Sequence, residues 1–463
     1  MKSTASLAHL KATIAATQPL GAGLPVKIPS HWSAQKLKFI AAVQLSNVDK
    51  KSVEGEAAVR LCNYVDVYKN DHITPDMAFM DATASDRQIR DFTLRADDVL
   101  ITKDSEAWND IAVPALVTSD LDGVLCGYHL AHIRPKPEVM TGGYLFRAIA
   151  AEGIADQFRV AANGITRFGI GKDEITGALF PVPPLEEQHA IADFLDRKTT
   201  QIDGVIAKKQ QMIDLLHKKR QALISEAVTK GLDPDVPTKD SGIEWLGRVP
   251  RHWSVERLKY SISKIEQGWS PQCDNRPAEE DEWGVLKVGC GNGDEFDPSE
   301  QKALPLDVAP MPEYEIRSGD ILMSRGNTRE LVGAASLVKN VRHRLMLCDL
   351  LYRFHAQPRR ADAEFLVFSL RSPHVRFQIE REASGTSASM KKVGQETIRE
   401  LVICLPPVDE QKTIITRLRP LLDQHDQIVH RIESQITKLR EYRQTLISAA
   451  VTGQIDVSKE GQR

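Results

Sequence analysis

Residues able to do chemistry are present in this chain, but not at the spacings that chemistry requires. Gly169-Ile170-Gly171-Lys172 has the glycines and the lysine of a phosphate loop, without the four-residue gap between glycines or the hydroxyl after the lysine. Gly291-Asn292-Gly293 lacks the third glycine of a dinucleotide fingerprint. The thirteen histidines form no HExxH pattern and no metal-like cluster. His31 and His252 stand beside Trp32 and Trp253 in equivalent contexts, which reads as a structural motif shared by two places in the chain. The proline pairs Pro183-Pro184 and Pro406-Pro407 follow Val182 and Leu405, so neither carries the preceding Asn or Asp that holds a target amine for methyl transfer. No catalytic residue and no metal ligand is assigned.

Composition narrows the class. The chain has 463 residues and a formal net charge of −3, a length of about three domains. Hydrophobic residues make up 42% and charged residues 27%, which excludes collagen-like, disulfide-scaffold and wholly disordered chains. No run approaches the ~20 apolar residues of a membrane span, so no membrane association is expected. His9 and Lys11 interrupt the N-terminal stretch, against a secretory signal. The cysteines, Cys62, Cys126, Cys273, Cys290, Cys348 and Cys404, form no CxxC pair and read as buried reduced thiols of a cytoplasmic protein. A sequence pI near 6.5 gives no global nucleic-acid signature; any DNA binding must use local patches or partner subunits.

The elements that would position a site come from an internal repeat. Pro29-Ser30-His31-Trp32-Ser33 recurs as Pro250-Arg251-His252-Trp253-Ser254, at an offset of 221. Asp98-Val99-Leu100-Ile101 recurs as Asp320-Ile321-Leu322-Met323, at 222. Pro183-Pro184-Leu185-Glu186-Glu187-Gln188 recurs as Pro406-Pro407-Val408-Asp409-Glu410-Gln411, and Leu223-Ile224-Ser225 as Leu446-Ile447-Ser448, both at 223. A unit this long is a duplicated domain pair and not a solenoid repeat. Residues 40–90 and 262–312 share almost nothing, so one frame carries individual inserts. Each repeat opens with an α/β globule. Strands are expected at Asp98–Thr102, Ile321–Met323, Leu345–Phe354 and Leu401–Leu405, and short helices at Gly143–Ala151 and Ala363–Leu370.

Each repeat closes with a long helix, about 189–230 and 412–452. Acidic residues crowd each first turn, where the helix dipole favours them, and each helix is expected to run unbroken for roughly 40 residues. Leu195, Ile202, Leu216 and Leu223 recur on a seven-residue row, with Ile206 and Ile213 on a row offset by four. In the second helix Leu418, Ile432, Leu439 and Leu446 share one row and Val429 and Ile436 the other. This is a coiled-coil seam, punctuated at one shared register by Arg220 and Arg443. Antiparallel pairing of the helices would create a pseudo-two-fold axis and hold the globules apart on a rod of roughly 60 Å.

Two unlike globules, each followed by PP-x-(D/E)-E-Q and a long helix, resemble the specificity subunit of type I restriction–modification enzymes. Asp240-Ser241-Gly242-Ile243-Glu244-Trp245-Leu246-Gly247 is similar to that family's domain-opening motif, and Leu-Ile-Ser-x-Ala-Val-Thr at 223–229 and 446–452 to its helix end. The first repeat departs from the motif, with Gly21-Ala22-Gly23-Leu24 in its place and no counterpart placed for residues 1–20. The resemblance implies an α+β chain with two tandem α/β target recognition domains joined and separated by two long antiparallel coiled-coil helices. Residues 1–24 form an N-terminal extension, 25–183 the first recognition domain, 184–239 the first spacer helix region, 240–406 the second recognition domain, and 407–463 the second spacer helix region. It further implies a non-catalytic subunit that reads a bipartite, asymmetric site in double-stranded DNA. Methyltransferase and motor-nuclease subunits would be its partners, carrying S-adenosylmethionine, ATP and Mg, with no cofactor in this chain. A subunit serving a fused restriction–methylation enzyme, or a coiled-coil scaffold without a DNA role, are the alternatives.

DNA contact would then fall to loops of the globules, where polar groups can reach base edges and phosphates. In the first globule these loops carry Lys103, Ser105 and Asn109 after the matched strand, and Thr166 and Arg167 before the last strand. In the second they carry Arg325, Asn327 and Arg329, then Thr386, Ser387, Lys391 and Lys392, with Trp269 on a further loop.

Overall fold

The structure is a computed structural model and describes residues 16–21, 24–293, 295–385 and 390–457. Thr386 and Ser387 lie outside the described residues. The chain divides into two compact units, Met1–Lys209 with Glu433–Arg463, and Gln210–Ile432. Both boundaries fall inside the long helices, Leu185–Thr229 and Val408–Val451. Each unit therefore holds one globule, part of the helix that follows it and part of the other helix.

In the first unit a five-stranded sheet runs Ala41–Leu45, Leu130–Pro135, Val99–Thr102, Pro114–Val117, His72–Ile73. Val99, Leu100 and Ile101 are buried on both faces, which explains why this segment is a continuous apolar run. A four-stranded sheet built on Ala57–Cys62 and Leu121–Cys126 packs a second core. In the second unit Ile321–Ser324 takes the same central place, between Leu351–Phe354 and Ala335–Leu337. The single strand expected at Leu345–Phe354 is two pieces, Leu345–Met346 and Leu351–Phe354. Between them the Ser270 hydroxyl donates to Asp349 Oδ1 at 2.5 Å, while the Asp349 N–H donates back to Ser270 Oγ at 3.0 Å. The two pieces join different sheets, Leu345–Met346 pairing with Gly284–Leu286 and Leu351–Phe354 with Ile321–Ser324.

The matched Asp98 and Asp320 close equivalent turns, accepting the N–H of Arg95 at 2.8 Å and of Arg317 at 2.9 Å. Each also draws an Arg and a His from its neighbour strand. Arg134 Nη2 and His132 Nε2 reach Asp98 at 2.7 and 2.8 Å, and His355 Nε2 reaches Asp320 at 2.6 Å with Arg353 at 3.9 Å.

The PP-x-(D/E)-E-Q motif is explained by its glutamine. Gln188 is fully buried and takes three backbone groups. Its Nε2 donates to Pro183 O and Val139 O, both at 2.9 Å, and its Oε1 accepts Thr141 N–H at 2.9 Å. Gln411 repeats this with Pro406 O, Arg360 O and Asp362 N–H at 2.8, 2.9 and 2.8 Å. The prolines end the strands Leu179–Val182 and Val402–Leu405, and the glutamine pins the new helix to the globule beside it.

The helices pair antiparallel within each unit. In the first, Lys209 Nζ donates to Gln435 Oε1 at 2.6 Å and Arg443 Nε meets Asp203 at 3.1 Å. In the second, His425 Nε2 donates to Leu216 O at 2.6 Å and Arg220 Nε to Asp426 Oδ1 at 3.2 Å. Of the expected seam, Leu195, Ile202, Ile213, Leu418, Val429, Ile432, Ile436 and Leu446 are buried, and Ile206, Leu216, Leu223 and Leu439 are half-buried. The unbroken run expected of the second helix contains Pro420, on an exposed position where its missing N–H and its ring face water. The repeated helix end is a core element: Ile224, Ala227 and Val228 join the second unit's core, and Leu446, Ile447, Ala450 and Val451 the first's.

One counterpart is invisible in the sequence. Thr17–Pro19 pairs with Lys27–Pro29 as Thr238–Asp240 pairs with Arg248–Pro250, which supplies a counterpart for Thr17–Pro19, while residues 1–15 lie outside the described residues. Gln18 Nε2 donates to Trp32 O at 2.6 Å and Lys239 Nζ to Trp253 O at 2.7 Å, so two different side chains do one job.

Candidate nucleic-acid interface

In each unit the fold joins the two loops that carry the sequence candidates. In the first, Asp104–Ser105 pairs with Phe168–Gly169, which pairs in turn with Asn163–Gly164. In the second, Gly326–Asn327 pairs with Lys391–Lys392. The partners Asp104↔Gly169 and Gly326↔Lys392 occupy the same place in the repeat, so one backbone joint serves both units.

The side chains at the joint differ. In the first unit Arg167 Nη2 donates to Asp104 Oδ1 at 2.7 Å, and His129 Nδ1 donates to Asp104 Oδ2 at 2.8 Å. Lys103 Nζ sits 4.4 Å from the centroid of the Tyr128 ring, and its half-buried place pushes its pKa below the usual lysine range. Tyr64 and Tyr68 stack at 5.5 Å beside this group, and Tyr68 donates its hydroxyl proton to Asp110 at 2.6 Å. Trp108, Asn109 and Thr166 are exposed. Arginine, hydroxyl and aromatic groups thus share one surface, the residue types that contact bases and phosphates.

In the second unit the joint carries Lys391 and Lys392, with Lys391 Nζ donating to Gly385 O at 2.5 Å. Arg325 Nη1 approaches Asp349 O at 3.5 Å, and Arg329 is exposed, 3.9 Å from Glu380.

Three candidates are held within the framework of their unit. Ser105 is buried, its hydroxyl accepting the N–H of Ala107 at 3.3 Å. Asn327 is buried, its amide donating to Asn292 Oδ1 at 2.9 Å. Trp269 packs against the core around Leu322 and Leu347. Ser105 and Asn327 thus spend their polar groups on neighbouring residues, and Trp269 is half-buried against that core.

No protein-family model matches the chain. Over 225 residues, 48% of its length, it is 30% identical to the type I restriction enzyme EcoEI specificity subunit of Escherichia coli, and the match spans 38% of that subunit's own length. Over 433 residues it is 23% identical to a putative type I restriction enzyme MjaX specificity subunit of Methanocaldococcus jannaschii, covering 93% of this chain and 95% of that one. The chain is thus similar in sequence to specificity subunits of type I restriction enzymes, and it spans well under half the length of the EcoEI subunit it matches. A solved chain from work on complex assembly and conformational transition of the type I R-M system shares its fold, with a TM-score of 0.68 at 17% identity over 93% of this chain and 100% of that one.

Two features of the structure are not visible in the sequence motifs. The first is the aromatic group Tyr64, Tyr68 and Tyr128 with His129; the i, i+4 tyrosines on Tyr64–Lys69 were the available signal. The second is a duplicated clasp at the helix starts. Trp32 Nε1 donates to Glu187 at 2.9 Å with His31 at 3.1 Å, and Trp253 Nε1 donates to Glu410 at 3.0 Å with His252 at 2.7 Å. In each repeat the histidine and the tryptophan thus share one carboxylate. Among the described residues no group of His, Cys, Asp and Glu could hold a metal ion, and no helix is long and apolar enough to cross a membrane. Cys62, Cys126, Cys290, Cys348 and Cys404 are buried, and burial pushes the Cys348 and Cys404 thiols up to about 12.

Proposed function

We propose that this chain is the DNA-reading subunit of a type I restriction–modification complex, that each unit reads one half of a bipartite, asymmetric site, and that it performs no catalysis itself. The observation that carries the reading is the shared joint. Asp104↔Gly169 and Gly326↔Lys392 keep one backbone pairing while every side chain around it changes. A constant scaffold with exchanged polar surfaces suits two different half-sites, because base readout depends on side-chain type at fixed positions. The exposed apolar side chains of the long helices, Val205, Met212, Leu215, Leu421 and Ile428, suit docking of methyltransferase subunits, which would bring S-adenosylmethionine. Motor-nuclease subunits would bring ATP and Mg, and the complex would work in the cytoplasm.

The test is single-molecule mapping of methylated adenines in the host with and without the gene for this chain. The expected result is a two-block motif, with unlike blocks, that vanishes with the gene. An unchanged methylation map, or a chain that methylates DNA alone when given S-adenosylmethionine, overturns the reading.

A further inference from the structure

The joint of the first unit is built around one arginine, and its geometry says what that arginine faces. Asn163 to Phe168 forms a tight hairpin tip, held by the ladder Asn163↔Gly169 and Gly164↔Phe168 and docked on Asp104–Ser105. Gly164 lies at φ +152, and a Cβ there would come within 1.9 Å of Arg167 O, so the tip has a single tight path. The tip presents Ile165, 94% exposed, next to Thr166 and Arg167.

Arg167 Nη2 sits against Asp104 and lies 3.4 Å from His129 Nδ1. Its Nη2 donates to Asp104 Oδ1 at 2.7 Å, and Asp104 is itself held on its other oxygen by His129 at 2.8 Å. Asp104 is 18% exposed at its side chain, Arg167 55%. The backbone ladder already fastens the hairpin, and a half-exposed ion pair adds little to stability. What the pair does add is position: it holds Nη2 at Asp104 while more than half of the side chain stays exposed, so the guanidinium keeps further N–H donors for a ligand. Paired guanidinium donors match the O6 and N7 acceptors of guanine in the major groove. Ile165 beside it supplies an apolar surface that water covers poorly and a base edge covers well. The equivalent place in the second unit has Gly326 opposite Lys392 where the first has Asp104 opposite Gly169, so it lacks the aspartate that orients Arg167, and its lysines suit phosphates as point charges.

We infer that Arg167, oriented by Asp104 and His129, reads one guanine in the half-site of the first unit, and that Asp104 is its positioning residue. This deepens the proposed DNA-reading role and rests on it.

The test uses the tagged full chain, isolated from its host with the subunits that co-purify, and a randomised duplex library from which bound sequences are recovered. The wild type should return two blocks, one holding a G·C pair that Arg167→Ala converts to no preference. The guanine preference there should fall ~5- to 150-fold, while every other position in both blocks is kept. Asp104→Asn should weaken the same position alone, and Asp104→Glu should restore part of it; a merely structural Asp104 would not single out one base pair. If Arg167→Ala leaves the motif intact, or erodes both blocks equally while the unfolding midpoint holds, the inference fails and the DNA-reading role stands. If the wild type itself returns no motif, the DNA-reading role fails. Should Arg167→Ala unfold the chain, Arg167→Gln takes its place, with the same single-position outcome required.

Discussion

Glu410 Oε1 accepts the indole N–H of Trp253 at 3.0 Å while its other oxygen takes His252 at 2.7 Å. The indole is nearly fully buried, so its N–H has no water to turn to. Glu410 also stands in the first turn of the long helix, where the dipole favours its charge. Glu410→Ala should therefore destabilise the second unit by ~2 kcal/mol, the cost of one unsatisfied buried donor plus a lost charge-assisted bond. Glu410→Gln should cost less, since its amide oxygen still accepts. Trp253 fluorescence during urea unfolding reads both; equal loss in the two variants would show that the clasp contributes nothing through the indole.

Gln188 satisfies two carbonyls and one N–H at a place no water reaches. Gln188→Leu preserves volume but strands all three groups, an expected loss of ~2–4 kcal/mol. Hydrogen exchange at Thr141 checks the cause directly. Its amide should become one of the faster-exchanging groups of the first unit, with Asp362 unaffected. Gln411→Leu should give the converse, since Asp362 N–H is its charge.

Asp98 is buried, which works against its carboxylate, yet the bonds from Arg134 and His132 outweigh burial and hold its carboxyl below the usual range. A depressed folded-state pKa means stability that is present above the unfolded value of ~3.9 and lost as pH falls through the folded one. Asp98→Asn should cost ~2–4 kcal/mol at neutral pH, because it leaves the Arg134 guanidinium without its carboxylate partner. The gap between wild type and variant should begin to shrink below about pH 4 and close only below the depressed folded-state value. Urea midpoints measured across that range would refute this by a constant gap.

The anchors of the repeat were legible because each does its work with specific side chains: Gln188, Trp32, Asp98 and the seam residues cannot be exchanged without loss. What stayed hidden is work done by the backbone. The hairpin Thr17–Pro19 with Lys27–Pro29 needs only N–H and C=O groups, so Gln18 and Lys239 drifted apart in type while keeping one bond to the following Trp carbonyl. Leu345–Phe354 looked like one strand because apolar content does not reveal that its two pieces pair in different sheets. In the candidate interface, Lys103, Arg167 and Lys391 were readable as charges. The sorting of Ser105 and Asn327 into the framework depended on neighbours that only folding supplies.

The helix ends carry equivalent left-handed glycines, Gly231 at φ +79 and Gly453 at φ +69. Both conformations disfavour a side chain, but their surroundings differ. A Cβ on Gly231 would sit 3.2 Å from Trp253, a contact the ring can relax, while one on Gly453 would sit 2.4 Å from Pro29 and 3.0 Å from Trp32. Gly231→Ala should cost ~1–2 kcal/mol from φ alone. Gly453→Ala should cost more and should loosen the hairpin that holds Pro29, visible as faster exchange at Trp32.

The seam ties the helices by position-specific contacts on both sides of Lys209 and Ile432, so length can be added there without touching either joint. Four residues inserted into each helix, after Lys209 and after Ile432, lengthen each by ~6 Å, close to two base pairs at 3.4 Å. Four is also the smallest insertion that nearly completes a helical turn, so the apolar rows stay on one face with a local unwinding. The expected methylation motif keeps both blocks and gains one or two base pairs between them. The shift should need both insertions: one alone misaligns Arg220 with Asp426 or Lys209 with Gln435 and should lower stability without defining a new spacing. A motif with its original gap would mean that helix length does not set the spacing of the half-sites.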